Sequence, residues 1–357
     1  MIYSDKSIIK EDMEDIFNRR LDWQRLDGKT IYISGAYGML ASYIVYFLCY
    51  ISEYKGIKVN IIAQGRSLEK AQERFGFLLE KEYFHFISEE ICKEISYDGP
   101  VDYIIHAASP ANPRLYTTNP VEVLEPNILG TNYLLKLAKE KDVEGFLMFS
   151  TLDVYGKVDV SKKIDEKTIG MVNQLDNHSC YSESKRMAET LCYCYFSEYN
   201  VPVYILRIAH TYGATMDIQN DPRVFASFMK CLIDNKDIEI LSDGKSKRAF
   251  CYIADAVAAY FTVLLNGEKG EAYNICNSSE FISIRELANI VAHIDENKQL
   301  DVVYKSRTEN DKYLENIANK ENKSSDKKLL GLGFEYHFSI KDGMKRTYEL
   351  LKENKNV

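Results

Sequence analysis

The sequence predicts a doubly wound α/β fold, in which helices cover both faces of a parallel β-sheet. Short apolar runs of strand type alternate with longer stretches of helical periodicity as far as Gly213. The first of these runs leads directly into a glycine turn, Gly35-Ala36-Tyr37-Gly38, and then into a helical pattern. Because a strand that returns through a helix lies parallel to its predecessor, this alternation is typical of right-handed βαβ units.

Each predicted element rests on its own pattern. The strand candidates are apolar runs at 30–34, 58–63, 103–106, 145–150 and 202–208. Helical patterns lie between them at 39–51, 68–80, 128–139 and 181–199, and further ones follow at 224–234, 284–294 and 340–352. We expect an N-terminal helical extension over 1–27 and a sheet domain over 28–213 with return segments near 240–265. A smaller mixed α/β substrate domain should occupy most of 214–357.

Composition and charge exclude several classes of function. The 357 residues carry a net charge of −8, which argues against nucleic-acid binding because phosphate contacts require concentrated positive charge. The 8 cysteines lack C-x-x-C spacing and the 6 histidines are scattered, so we predict reduced core thiols and no metal site. With no signal-peptide pattern and no long apolar run, we expect a soluble cytoplasmic protein without a membrane segment.

The glycine turn is suited to binding a pyrophosphate. Gly35 permits a tight turn, Gly38 permits close approach of the backbone to the anion, and Ala41 packs the new helix against the strand. The helix N-terminus, which follows Tyr37 and begins near Met39, would face the phosphates.

The second strand ends without the acidic residue that normally holds the adenosine ribose. Its end reads Gln64-Gly65-Arg66. Arg66 is able to stack on adenine or to meet a 2′-phosphate, so this position leaves both NAD and NADP open.

Tyr181 and Lys185 stand four residues apart in a helical pattern and therefore on one helix face. A nearby ammonium stabilises phenolate, which would make Tyr181 a general acid/base toward an alcohol or ketone. In a chain with 26 tyrosines the pair alone also fits an ordinary surface contact.

Taken in order, the motifs resemble the extended short-chain dehydrogenase/reductase family, in its nucleotide-sugar epimerase, dehydratase and decarboxylase branch. The matching stretches are 35–41, 106–109, 127–132, 149–156, 181–185 and 207–213. The resemblance implies a Rossmann-type sheet domain, NAD as cofactor with NADP not excluded, and a homodimer that pairs through the helix carrying Tyr181. The implied substrate is a nucleotide sugar, expected to be UDP-linked.

The resemblance also implies individual roles. Thr151 would hydrogen-bond the sugar 4-hydroxyl, Tyr181 would take its proton, and Lys185 would hold the nicotinamide ribose and lower the pKa of Tyr181. The implied cofactor-binding residues are Gly35, Tyr37, Gly38, Met39, Arg66, Ala107, Ala108, Ser109 and Asn127, together with Tyr181 and Lys185. The implied substrate-binding residues are Pro110, Thr151, His210, Arg223 and Arg248.

Four stretches, 106–122, 185–190, 221–224 and 247–250, are similar to UDP-glucuronate decarboxylases. In such enzymes oxidation at C4 makes a β-keto acid that loses CO₂, and the same cofactor then reduces the ketone. Three positions depart from the pattern: Leu152 replaces a small polar residue, Asp153 replaces a glutamate, and His210 replaces an asparagine.

Asp153, the fourth expected catalytic residue, retains a carboxylate and so leaves decarboxylation possible; the similar stretches make a decarboxylase the expected enzyme. A nucleotide-sugar 4-epimerase needs neither Leu152 nor Asp153 and is the alternative. The further alternatives are a 4,6-dehydratase, an NADPH-dependent 4-keto sugar reductase and a non-catalytic NAD-binding module.

Overall fold

The computed structural model of the protein describes residues 7–159, 163–308 and 323–355. Its strands are β1 (Lys29–Ser34), β2 (Val59–Gly65), β3 (Phe84–Ser88), β4 (Tyr103–His106), β5 (Gly145–Thr151), β6 (Val203–Ile208), β7 (His210–Tyr212), β8 (Ile238–Ile240), β9 (Lys247–Tyr252), β10 (Glu271–Ile275), β11 (Phe281–Ser283) and β12 (Val302–Tyr304). Its α-helices are α1 (Ser7–Asn18), α2 (Met39–Tyr54), α3 (Leu68–Phe75), α4 (Pro113–Thr118), α5 (Pro120–Glu125), α6 (Thr131–Glu140), α7 (Ser179–Tyr199), α8 (Val224–Asp234), α9 (Ile253–Asn266), α10 (Ile284–Ala292), α11 (Lys327–Leu330) and α12 (Ile340–Lys355). Short 3₁₀ helices at Trp23–Leu26 and Leu152–Tyr155 and a π-helical turn at Pro126–Gly130 lie between them.

The central sheet has seven strands in the order β10-β6-β5-β4-β1-β2-β3, and all of its pairs are parallel. The predicted doubly wound fold is confirmed. β1 lies between β4 and β2, so the strand order reverses there. The carboxyl ends of β1 and β4 therefore flank a crevice, which is where open α/β sheets bind ligands.

The prediction misses the two edge strands of this sheet. β3 is only partly buried and lacks the continuous apolar run of a central strand. β10 carries the return of the chain further than the predicted 240–265, through α9 to Ile275. The predicted helix 68–80 ends early, at Phe75 before Gly76, and the predicted helix 128–139 is divided between the π turn and α6.

The C-terminal part adds two small sheets, β11-β9-β7 and β12-β8. β9 pairs antiparallel with β11 and parallel with β7, so the three-stranded sheet contains both strand directions. The three predicted C-terminal helices correspond to α8, α10 and α12.

The N-terminal extension packs on both parts of the protein. The Trp23 ring lies 4.8 Å from Phe47 of α2 and 5.4 Å from Phe261 of α9, between ring centroids. Asp12 of α1 is fully buried and accepts hydrogen bonds from Tyr252 of β9 at 2.5 Å and Arg346 of α12 at 2.8 Å. This carboxylate ties the extension to the mixed sheet and to the last helix.

Across the three described ranges, no helix is long and apolar enough to cross a membrane. Within the same ranges, no group of three or more His, Cys, Asp or Glu side chains is arranged to hold a metal ion.

Candidate active site

The glycine turn between β1 and α2 is closed by backbone contacts. Gly35 has a φ of +64°, and a Cβ on it would lie 2.7 Å from the Cα of Ala108. Gly38 donates its N–H to the Gly35 carbonyl at 2.9 Å and is the N-cap of α2. Glycine at position 35 permits both the left-handed backbone and the close approach of the loop after β4. Turn and loop form one narrow cradle at a helix N-terminus, where N–H groups favour an anion.

A glutamine occupies the end of β2. The Gln64 side-chain oxygen accepts the Gly35 N–H at 3.4 Å, and the Tyr37 hydroxyl accepts the Arg66 N–H at 3.2 Å. The Arg66 side chain is 68% exposed, and its Nη1 lies 3.8 Å from a Glu90 carboxylate oxygen. Because that negative charge disfavours a 2′-phosphate, this corner suits NAD better than NADP.

A buried chain of hydrogen bonds joins β1, β4 and the π turn. Thr131 donates its hydroxyl to the Asn127 carbonyl at 2.6 Å, so its oxygen accepts from His106 Nε2 at 2.9 Å. His106 Nδ1 accepts the Ser34 hydroxyl at 2.8 Å, and the Ser34 oxygen accepts the Ala108 N–H at 3.2 Å. Burial lowers the pKa of His106 to about 3, so we infer a neutral ring with its proton on Nε2. The chain holds the Ala108 loop against the phosphate turn.

Two buried polar atoms at this place, Ser109 Oγ and Asn127 Oδ1, have no hydrogen-bond partner among the described residues. The amide nitrogen of Asn127 is used, because it donates to Ser184 Oγ at 2.9 Å. Buried polar atoms without a protein partner are typical of sites that hold a ligand or water. The residues present therefore fit a dinucleotide: the turn would hold its pyrophosphate, and Ser109 and Asn127 would offer it a hydroxyl and an amide oxygen.

The remaining predicted cofactor and loop residues lie beside these. Met39 opens α2 directly after Gly38, and its carbonyl accepts the Thr215 hydroxyl at 2.9 Å. Ala107 and Pro110 flank the Ala108–Ser109 pair in the loop after β4, and both are half-buried.

The end of β5 and the start of α7 bring the predicted acid/base groups together. Thr151 is 8% exposed, and its hydroxyl lies close enough to the Tyr181 phenol to lower the pKa of that phenol. Burial, and next the charge of Asp153, raise the pKa of Tyr181 above its usual 10.0, whereas the Thr151 hydroxyl and the charge of Arg223 lower it. A hydroxyl, a phenol and a carboxylate thus meet at the carboxyl edge of the sheet.

Tyr116 of α4 belongs to the same cluster, although it is absent from the predicted site. Its ring stacks on Tyr181 with centroids 5.1 Å apart and planes at 11°, and it is 8% exposed. Burial, then the neighbouring Tyr181 and Asp153, raise the pKa of Tyr116. The only signal in the sequence is that Tyr116 falls within the decarboxylase-like stretch 106–122; spacing alone does not bring α4 onto α7.

Lys185 lies one helical turn after Tyr181 and is buried. Its Nζ donates to the Phe149 carbonyl of β5 at 2.7 Å. Burial lowers the pKa of Lys185 to about 7, against the opposing effects of Cys192 and Glu189. The structure does not show the expected lowering of the Tyr181 pKa by Lys185, because Lys185 binds the β5 backbone and desolvation disfavours its own charge.

The predicted substrate residues come from three elements of the C-terminal half. Arg223, the N-cap of α8, pairs with Asp221 at 2.6 Å, and its charge reaches Tyr181. His210 of β7 is in register with Phe250 of β9, and their ring centroids are 5.8 Å apart. Arg248 stands two residues before Phe250 and is 8% exposed. The mixed sheet thus carries His210 and Arg248 on neighbouring strands.

The Leu152 side chain lies in an apolar environment. It packs on the cluster formed by Val154, Tyr155 and Ile164. Its side chain supplies neither a proton nor a hydrogen bond at the position where the decarboxylase pattern has a small polar residue.

Residues 31–276 match the NAD dependent epimerase/dehydratase family, which is more than half of the 357-residue chain. The chain belongs to this family. The expected family and the expected cofactor, NAD, are confirmed.

The curated relatives that match this chain include UDP-glucuronic acid decarboxylases. UDP-glucuronic acid decarboxylase 1 of Xenopus tropicalis is 31% identical over 268 residues, which cover 75% of this chain and 61% of the relative. UDP-glucuronic acid decarboxylase 2 of Arabidopsis thaliana is 35% identical over 262 residues, with coverages of 73% and 56%. The chain therefore spans about three fifths of the length of these relatives.

A solved epimerase from Methanothermobacter thermautotrophicus superimposes with a TM-score of 0.78 at 20% identity, covering 99% of this chain and 98% of that one. Likeness at this level of identity supports the fold.

Proposed function

We propose that the protein transiently oxidises a UDP-linked sugar at C4 and that its reaction is the decarboxylation of UDP-glucuronate. The observation that carries this proposal is the convergence of the Thr151 hydroxyl and the Tyr181 phenol at the end of β5, where the charge of Asp153 also acts on the phenol. A hydroxyl and a phenol that converge on one oxygen suit the oxidation of a sugar alcohol. The similarity to UDP-glucuronic acid decarboxylases supports the choice of substrate.

In the proposed reaction, the Gly35–Gly38 turn, Ser109 and Asn127 would hold NAD, which would supply reversible hydride transfer at C4. Tyr181, as phenolate, takes the proton of the 4-hydroxyl, while Thr151 hydrogen-bonds the same oxygen. The C4 ketone makes the sugar a β-keto acid, so the C5–C6 bond breaks, its electrons pass to the carbonyl, and CO₂ leaves. C5 then takes a proton, and Tyr181 returns its proton to the C4 oxygen as the ketone is reduced.

Two charged side chains act on Tyr181 in opposite directions. Arg223 favours the phenolate, which the first step needs, and Asp153 disfavours it. We assign Asp153 a second effect: a carboxylate beside the substrate carboxylate favours departure of that charge as neutral CO₂, since like charges repel strongly away from water.

A 4-epimerase is the second candidate, and Leu152 favours it. Epimerisation needs the Thr151–Tyr181 couple and room for the ketone to turn over. It does not need a polar group at position 152. The same leucine disfavours a 4,6-dehydratase, which requires an acid/base pair at 152 and 153.

One incubation separates the candidates. The purified, NAD-loaded protein is mixed with UDP-glucuronate in D₂O, and product mass and exchange at C5 are read by mass spectrometry and NMR. Loss of CO₂ with one deuteron at C5 is the expected result. A product of unchanged mass with inverted C4 would replace the decarboxylase by the epimerase. Tyr181→Phe is the matched negative control.

A further inference from the structure

The helix that carries Tyr181 and Lys185 has a third polar residue on the same face, Glu189. Residues four apart on a helix lie above one another, so positions 181, 185 and 189 form one stripe along α7. Glu189 is 12% exposed in its side chain and Lys185 is buried. No role in the reaction described above requires Glu189.

The stripe is attached to three consecutive residues of β5. The Tyr181 phenol lies near the Thr151 hydroxyl, Lys185 donates to the Phe149 carbonyl at 2.7 Å, and Glu189 accepts the Ser150 hydroxyl. The three contacts fix how far α7 is displaced along the strand and how it is rotated. A shift of one residue would break all of them at once.

Arg207 of β6 holds the far end of this stripe. Its Nε and Nη2 donate to the two Glu189 carboxylate oxygens at 3.0 and 2.7 Å, which is a bidentate pair. Its Nη1 donates to the Tyr155 hydroxyl at 3.0 Å. Tyr155 ends the 3₁₀ helix that contains Asp153. One guanidinium therefore connects the helix of Tyr181 to the turn of Asp153.

We propose that Glu189, held by Arg207, is a positioning residue that sets the register of α7 on β5, so that Tyr181 meets Thr151 and Lys185 reaches the cofactor cleft. The inference deepens the proposed function and rests on it for the roles of Tyr181 and Lys185. The charge of Glu189 also favours the ammonium form of Lys185, together with Cys192 on the same helix. His106 of β4 faces Lys185 from the sheet and is neutral.

The test is an NADH fluorescence titration of the full-length protein from pH 6 to 9, after removal of co-purified nucleotide. Glu189→Gln should weaken NADH binding by about tenfold, the loss that matches one charge-assisted hydrogen bond. The pH at which affinity begins to fall, expected near the Lys185 pKa of about 7, should move lower because the variant lacks a charge that supports the ammonium. Glu198→Gln, an exposed carboxylate on the same helix, is the matched control and should change neither value.

The double variant Glu189→Gln/Arg207→Gln separates positioning from stability. It should regain thermal stability relative to Glu189→Gln, because no charge is left buried alone, while its NADH affinity stays low. Wild-type affinity and an unchanged pH dependence in a folded single or double variant would overturn the proposal. If the single variant does not fold, the double variant decides.

NADH binding needs no sugar, so the two proposals fail separately. The expected binding changes without any decarboxylated product would leave the positioning role and reject the decarboxylase. Decarboxylation by the wild-type protein, with unchanged NADH binding in the double variant, would support the decarboxylase and reject the positioning role of Glu189.

Discussion

Gly35 offers a sharp test of the cofactor cradle, because a second glycine in the same chain serves as its control. Gly35 and Gly28 have φ values of +64° and +71°, so alanine at either position suffers the same backbone strain. A Cβ on Gly35 would lie 2.7 Å from the Ala108 Cα and 2.9 Å from its nitrogen, whereas a Cβ on Gly28 would meet nothing within 4 Å. The difference between the two variants therefore measures the contact between the turn and the loop after β4.

The expected losses of stability follow from two effects, backbone strain and the clash with Ala108. A left-handed backbone costs an L-residue about 1–2 kcal/mol, which is the whole expected destabilisation of Gly28→Ala. The clash with Ala108 must be relieved by shifting packed backbone, and overpacking of this kind adds about 1–3 kcal/mol. We therefore expect Gly35→Ala to lose about 2–5 kcal/mol. The shift would also disturb the 3.2 Å bond from the Ala108 N–H to Ser34 and widen the cradle.

Urea unfolding followed by fluorescence gives both stabilities, and NADH titration gives both affinities. NADH affinity should fall by at least about tenfold in Gly35→Ala, a loss of about 1.4 kcal/mol, and stay at the wild-type value in Gly28→Ala. Equal destabilisation of the two variants, or wild-type NADH affinity in Gly35→Ala, would refute the reasoning that this contact shapes the cofactor site.

Three further predictions concern Tyr181, Tyr116 and Asp12. Tyr181→Phe should lower kcat by about 10²–10⁴-fold because the transferable proton is lost, while Tyr193→Phe on the exposed side of α7 should leave kcat intact; steady-state kinetics compare them. Tyr116→Leu should lower kcat/KM by about two- to tenfold, which corresponds to the loss of one aromatic pair, and Tyr116→Phe should retain the wild-type kcat/KM. If the Phe variant lost as much kcat/KM as the Leu variant, a stacking role would be contradicted. For Asp12, burial raises the pKa from 3.8 to about 6, so its contribution to the free energy of unfolding is complete below pH 3.8 and is lost as pH rises through 6. The difference in free energy of unfolding between wild type and Asp12→Asn should therefore fall by about 2 kcal/mol between pH 4 and 6.5 in urea titrations, and a flat difference would show that Asp12 ionises as freely in the native state as in the unfolded one.

The sequence by itself determined the parts of the site that are local. The turn at Gly35–Gly38 and the pairing of Tyr181 with Lys185 on one helix can be read from spacing, whereas the role of Thr151 came from the family resemblance. Parallel strands present their carboxyl ends at one edge, so residues at those ends meet without further information. This is why the central strands could be predicted, together with the edge of the sheet where the site lies.

Only the tertiary structure decided which groups act on one another within that frame. Tyr116 stacks on Tyr181, and Arg207 donates a hydrogen bond to Glu189. Both contacts form because elements that are far apart in the chain pack together. Lys185 binds a strand carbonyl, and burial lowers its pKa to about 7. Burial therefore disfavours the ammonium form that was expected to stabilise the Tyr181 phenolate. The physical reason is that desolvation and side-chain contact depend on what surrounds a residue in space, and the spacing of letters along the chain carries no measure of either.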